Sequence, residues 1–138
     1  MHVPHFNYLA ILVSGVAIFL LGGLWYSPAL FAKRWVALMG KSEEEMRAQG
    51  ARPSQFVLAF LCGLIIAAVL AIILNHFEPV TIARGALLGV LCWIGFAGTT
   101  SFANAIFSGK PKALWLIDSG YNLVAFVVAG IILAVWRL

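Results

Sequence analysis

The side chain with the clearest capacity for chemistry is that of Asp118, which interrupts an otherwise apolar stretch of sequence. Tyr121 and Asn122 follow at i+3 and i+4, so a helix would place all three side chains on one face. An acidic residue within a membrane helix is rare and usually faces the protein interior, where it anchors hydrogen bonds or binds a proton, cation or substrate. The anchor is the favoured interpretation, and the binding site is the alternative.

Other polar residues are expected to converge on this acid from neighbouring helices. At comparable depth lie Thr99 and Thr100, with Asn104 nearer the membrane interface, and Tyr26 ends the first apolar stretch. We therefore predict an intramembrane polar site that comprises Asp118, Asn122, Tyr121, Thr99, Thr100, Asn104 and Tyr26, with its carboxyl held by hydroxyls of the third helix and by Tyr26.

Metal binding and catalysis have weaker support. The imidazoles of His2, His5 and His76 would lie on one face of the protein, but no spacing fixes their geometry, so they are weak metal candidates and no cofactor is expected. Cys62 and Cys92 lie in apolar runs, where a thiol usually acts as a small hydrophobe. Because no nucleophile–base pair is apparent, an enzyme is not expected.

The helices that carry these residues can be predicted from the amino-acid composition. Of the 138 residues, 63% are hydrophobic and 10% are charged, whereas a soluble domain is about 25% charged. Four continuous apolar stretches of about 20 residues each can cross a bilayer as helices. The predicted fold is an all-α integral membrane protein, a single domain over residues 1–138 with spans at about 6–26, 54–75, 80–103 and 113–136.

The distribution of basic residues predicts the orientation of these spans. Seven of the nine Lys and Arg residues flank the first and third connections, and two, Arg84 and Arg137, lie on the other side. Basic loops mark the cytoplasmic face, so both termini are expected outside the cytoplasm. The positive charge thus predicts contact with a lipid bilayer and not with nucleic acid, for which no aromatic–basic platform exists.

The long connection, residues 27–53, has helical signals of its own. Ser27 is predicted to be the N-cap of a helix whose first residue is Pro28, and Gly40 is predicted to end that helix. This helix is predicted to lie at the membrane surface, with lipid-interface contacts by Trp35, Phe31, Lys33 and Arg34. A second short helix is predicted to be capped by Ser42, three residues before Glu45, and to end at Gly50.

Small residues recur at helical spacing in the predicted spans. Gly85 and Gly89 form a small-xxx-small pattern in the third span, and Gly63 begins another in the second. Such residues let helix backbones approach closely. In lipid, helices associate through van der Waals packing, because the hydrophobic effect does not drive them together. The pattern predicts packing faces, either within one bundle or between copies.

The segment from Gly23 to Trp35, GLWYSPALFAKRW, followed by Met39-Gly40 and an acidic helix start, resembles a family of small four-span bacterial membrane proteins catalogued as the domain of unknown function numbered 1761. The likeness covers the whole chain in length and hydropathy, and residues 22–45 as a motif. The resemblance implies a bacterial inner-membrane location. It implies no activity, cofactor or catalytic residue.

The expected function is that of a structural or accessory membrane subunit, either self-assembling or part of a larger complex. The alternative is a small transporter or channel that acts through Asp118. Because four helices can scarcely enclose a pathway, transport would require a homo-oligomer.

Overall fold

A computed structural model describes residues 7–50 and 52–137, and all regular structure in that part of the chain is helical. The elements, in chain order, are α1 (Tyr8–Trp25), α2 (Ala32–Leu38), α3 (Glu43–Gln49), α4 (Pro53–Leu74), α5 (Ile82–Cys92), a π-helical segment (Trp93–Gly98), α6 (Thr99–Ser108) and α7 (Lys112–Val135).

Four helical stretches are long and apolar enough to cross a membrane: α1, α4, the continuous run from α5 to α6, and α7. The all-α fold with four spans and two short loop helices is therefore confirmed. The third span extends to Ser108, five residues beyond the predicted end at 103. Asn104 and Ser108 are polar but do not break the helix, so it continues beyond residue 103. It ends at Gly109, which adopts a left-handed φ of 71°.

Helix α7 lies at the centre of the bundle, where it packs against α1, α4, α5 and α6. Its contact with α5 is close because both helices have glycine at the crossing. A Cβ atom built on Gly89 would lie 2.5 Å from the carbonyl oxygen of Phe126, and one built on Gly85 would collide with the carbonyl of Gly130. The predicted Gly85–Gly89 face thus packs within the bundle, against α7.

Helices α1 and α4 form a second close pair. Gly15 of α1 faces Leu64 of α4, and a Cβ atom on Gly63 would lie 3.5 Å from the carbonyl oxygen of Gly15. The glycine of the second span therefore serves the same purpose as those of the third, the approach of two helices inside one chain.

The loop between α1 and α4 contains the two predicted short helices, but the first starts later than predicted. Ser27 does not cap a helix at Pro28, because its hydroxyl donates instead to the carbonyl of Leu24, 2.6 Å away, at the end of α1. A turn follows, and α2 begins at Ala32. The second helix is as predicted: Ser42 Oγ accepts from the backbone N–H of Glu45 at 3.1 Å.

The opposite end of the bundle carries the short turn between α4 and α5. Glu78 pairs there with Arg137 at 3.5 Å, and Arg84 donates to the backbone carbonyl of Glu78 at 2.9 Å. His76 is exposed in this turn, whereas His2 and His5 lie outside the described residues. Within residues 7–50 and 52–137, no group of three or more His, Cys, Asp or Glu side chains is arranged to hold a metal.

Candidate functional site

The carboxyl group of Asp118 is bound by two side chains from other parts of the fold. The Tyr26 hydroxyl donates to Oδ1 at 2.6 Å, and the Trp35 indole N–H donates to the same oxygen at 3.1 Å. Asp118 lies six residues into α7, about 9 Å along the helix axis. The hydrogen bonds therefore tie the first third of α7 to the end of α1 and to α2.

Local structure explains why Tyr26 and Trp35 reach this oxygen. Tyr26 is the C-cap of α1, and its ring packs edge-on against those of Trp35 and Tyr121. It follows directly after the last residue of α1. A phenol is protonated at neutral pH, so the hydroxyl acts as the donor.

Three further indoles donate hydrogen bonds along the same segment of α7. Trp25 donates to the carbonyl of Ile117 and Trp93 to the carbonyl of Ser119, each at 2.9 Å. Trp115 donates to Ser101 Oγ at 3.0 Å, and that hydroxyl lies 3.1 Å from Ser119 Oγ. This part of α7 is held by hydrogen bonds on several sides, which fixes the position of Asp118.

A cavity of about 200 Å³ lies between α6 and α7 beside the acid. A water molecule occupies about 30 Å³ in the liquid, so the space corresponds to roughly seven waters or one small polar solute. The charged and polar side chains that line it are those of Ser101, Asn104, Ser108, Lys110, Asp118, Ser119 and Asn122.

The second carboxyl oxygen of Asp118 is not used by the fold. Both hydrogen bonds end on Oδ1, and within the described part of the chain Oδ2 accepts none. The ion pair between Arg137 and Glu78 is the only one among the described residues, so no Lys or Arg there is in direct contact with the Asp118 carboxylate. Among the described residues, the one fully buried side-chain atom without a hydrogen-bond partner is Ser14 Oγ. Oδ2 of Asp118 also has no partner, so it is not fully buried.

The structure brings some of the predicted site residues together. Asn104 and Asn122 line the cavity with Asp118, and Tyr26 contacts the carboxyl directly. Tyr121 turns towards α1, where its hydroxyl donates to the carbonyl of Ile18 at 3.1 Å. It thus supports the site from the side without lining the cavity.

Thr99 and Thr100 lie outside the site. Both are exposed, and the hydroxyl of Thr99 donates to Gly95 within its own helix at 3.3 Å. The π-helical segment that precedes them is the physical reason. Its i→i+5 hydrogen bonding widens the turn, so the residues that follow face a different direction from those of a continuous α-helix. Ser101 faces Ser119 instead.

The aromatic residues of the predicted lipid interface on α2 also have partners within the protein. Trp35 donates to Asp118, and the Phe31 ring lies 4.9 Å from that of Trp25, so both aromatic residues pack on the bundle. Lys33 and Arg34 are exposed. Helical spacing located the apolar face of α2 but could not identify what it contacts.

Ser101, Ser108, Lys110 and Ser119 line the cavity although sequence reasoning did not include them. The only signal for Ser119 was its position next to Asp118. Lys110 was counted as one of the basic residues that set the orientation, and nothing in the sequence connected it with the acid.

Comparison with known proteins identifies the family and nothing more specific. No curated protein and no solved structure matches the chain. A family model described as "Protein of unknown function (DUF1761)" matches residues 9–134. This match covers all four spans and the loop between the first two, and the chain therefore belongs to the DUF1761 family.

Proposed function

We propose that this chain is a structural or accessory subunit of the bacterial inner membrane, self-assembling or part of a larger complex, with Asp118 as its central hydrogen-bond anchor. The observation that carries the proposal is the pair of hydrogen bonds from Tyr26 and Trp35 to one oxygen of Asp118. Both donors come from elements distant in sequence, so the acid joins α1, α2 and α7. The proposal assigns the chain no catalytic role.

The surroundings of the acid favour a fixed role over a moving one. Trp25 and Trp93 hold the carbonyls on either side of Asp118, and the Tyr121 hydroxyl bonds to α1. A residue that carries protons or cations across a bilayer has to exchange access between two sides. A segment held by this many hydrogen bonds is better suited to keeping the helices in register.

The alternative function is transport by a homo-oligomer through the same polar site. The cavity of about 200 Å³ beside Asp118 is the observation that favours it, because a carrier needs room for its substrate next to the acid. Asp118 lies nearer one end of α7 than the middle, whereas coupled transporters usually bind near the midplane. This position places transport second.

A flux assay separates the two functions. The full chain and its Asp118→Asn variant are reconstituted into liposomes that contain a pH-sensitive dye, and a proton or sodium gradient is imposed. The structural role predicts that both proteins leave the leak at the level of protein-free liposomes. A wild-type flux that disappears in Asp118→Asn would establish transport and remove the structural proposal.

The proposed orientation places α2, α3 and the turn at residues 109–111 in the cytoplasm, with both termini outside. Reporter fusions after residues 45 and 110 should report the cytoplasm, because seven of the nine basic residues flank those points. Fusions in the 76–79 turn and at the C-terminus should report the periplasm. Identical signals from the residue-45 and C-terminal fusions would contradict this arrangement.

A further inference from the structure

We propose that the cavity between α6 and α7 binds a zwitterion that carries a primary ammonium and a phosphate or carboxylate, of the phosphoethanolamine type. Opposite charges at two points of one cavity support this ligand class. Asp118 supplies an acidic oxygen that the fold leaves unpaired, and Lys110 supplies an ammonium group in the same lining. The inference goes beyond the structural role and does not depend on how the chain assembles.

The acidic part of the cavity matches an ammonium donor. Oδ1 of Asp118 is fully engaged by Tyr26 and Trp35, which orients the carboxyl and leaves Oδ2 for a ligand. The amide side chains of Asn104 and Asn122 add oxygen acceptors to the same lining. A primary ammonium has three N–H donors and can use these acceptors together, whereas a quaternary ammonium has none.

The basic part of the cavity matches an anion. Lys110 lies in the turn between α6 and α7, and its side chain forms no hydrogen bond or ion pair within the described residues. Its ammonium group is therefore available to a phosphate or carboxylate, as lysines commonly are in phosphate sites. Ser108 adds a hydroxyl to the same lining.

A second groove adjoins the cavity and connects it to the apolar surface. Phe102 and Ile106 line this groove and are exposed, and Lys110 and Trp115 belong to both linings. An acyl chain could lie over Phe102 and Ile106 while its headgroup enters the cavity. A membrane lipid is therefore one source of the zwitterion, and a free solute is the other.

Native mass spectrometry of the delipidated full-length protein in mild detergent tests the site. The probes are phosphatidylethanolamine, phosphatidylcholine and phosphatidylglycerol with identical acyl chains, and soluble O-phosphoethanolamine. We expect phosphatidylethanolamine to bind about tenfold more tightly than the other two lipids, since only it combines N–H donors with a phosphate. Binding of O-phosphoethanolamine with comparable strength would identify a free solute as the source.

Two variants locate the binding. Lys110→Gln should lower the affinity for the preferred probe about tenfold, whereas Lys33→Gln removes the same charge from an exposed position on α2 and should not. Asp118→Asn should abolish the preference for phosphatidylethanolamine over phosphatidylcholine. Because Lys110 is an exposed turn residue, its substitution reports on the site even if Asp118→Asn folds poorly.

Two results would overturn the inference. One is equal binding of the three lipids together with no binding of O-phosphoethanolamine. The other is an equal loss of affinity in Lys110→Gln and Lys33→Gln, which would indicate general attraction of anionic groups to basic side chains. Neither result bears on the flux assay, so this inference and the structural role can fail separately.

Discussion

Replacing Asp118 with leucine is expected to lower the free energy of unfolding by about 2–4 kcal/mol, because it leaves two donors without an acceptor. The Tyr26 hydroxyl and the Trp35 indole N–H both donate to Asp118 Oδ1, and both residues are partly buried. Asp118→Asn retains an acceptor oxygen at the same position and should cost about 1 kcal/mol, the difference between a charge-assisted and a neutral hydrogen bond. Reversible unfolding in a detergent titration measures both.

Asn122→Leu is the matched control, since it removes a polar side chain one turn along the same helix. Within the described residues Asn122 forms no hydrogen bond through its side chain, although it lines the same cavity. Its replacement should change stability by less than about 0.5 kcal/mol. Equal losses in Asp118→Leu and Asn122→Leu would show that Asp118 is not an anchor.

A double-mutant cycle between Tyr26→Phe and Asp118→Ala, each of which removes the hydrogen bond, gives the energy of that pair. Interhelical hydrogen bonds in membrane proteins average about 0.6 kcal/mol and reach about 1.7 kcal/mol. The 2.6 Å distance places this pair towards the upper value. A coupling energy near zero would mean that the two groups contribute independently.

Gly89→Ala is expected to lower the free energy of unfolding by about 1–3 kcal/mol, as overpacking does in a well-packed interface. The added Cβ atom would lie 2.5 Å from the Phe126 carbonyl oxygen and 2.9 Å from the Val127 Cα atom. Both are backbone atoms of α7, so no side-chain rotation relieves the contact. The helices would have to separate, and the whole α5–α7 interface would loosen.

Gly23→Ala is the control for this substitution because it makes the same chemical change in another helix. No atom outside its own helix turn lies within 4 Å of a Cβ atom built at Gly23. The change should be neutral or should stabilise α1 by up to about 1 kcal/mol through helix propensity. If both variants were equally stable, the close approach of α5 and α7 would not be important for folding.

The sequence by itself determined the class of fold, because the apolar composition and the length of a stretch decide whether it can cross a membrane as a helix. Four apolar stretches of about 20 residues have few alternatives in lipid, where every backbone group needs an internal partner. The short helix at Glu43–Gln49 could also be predicted from local sequence, since Ser42 and Gly50 specify its two ends. Asp118 was selected as a candidate by one rule, the rarity of acids in membrane helices.

The tertiary structure decided which residues surround Asp118. Helical spacing in α2 identified an aromatic face, but only the folded chain showed that the Trp35 indole donates to the acid. Likewise Thr99 and Thr100 lie outside the predicted site, because the wider π-helical turn before them directs Ser101 towards Ser119 instead. Contacts between residues more than 80 positions apart depend on helix rotation and crossing, which no local pattern specifies.

The pairing of Lys110 with Asp118 in one cavity is the clearest case of what only the tertiary structure decided. The two residues belong to different elements, one to a turn and one to the interior of α7. From the sequence, Lys110 contributed to the predicted orientation in the membrane, and Asp118 was predicted to be a hydrogen-bond anchor. Only the packing of α6 against α7 places both charges around the same 200 Å³ space.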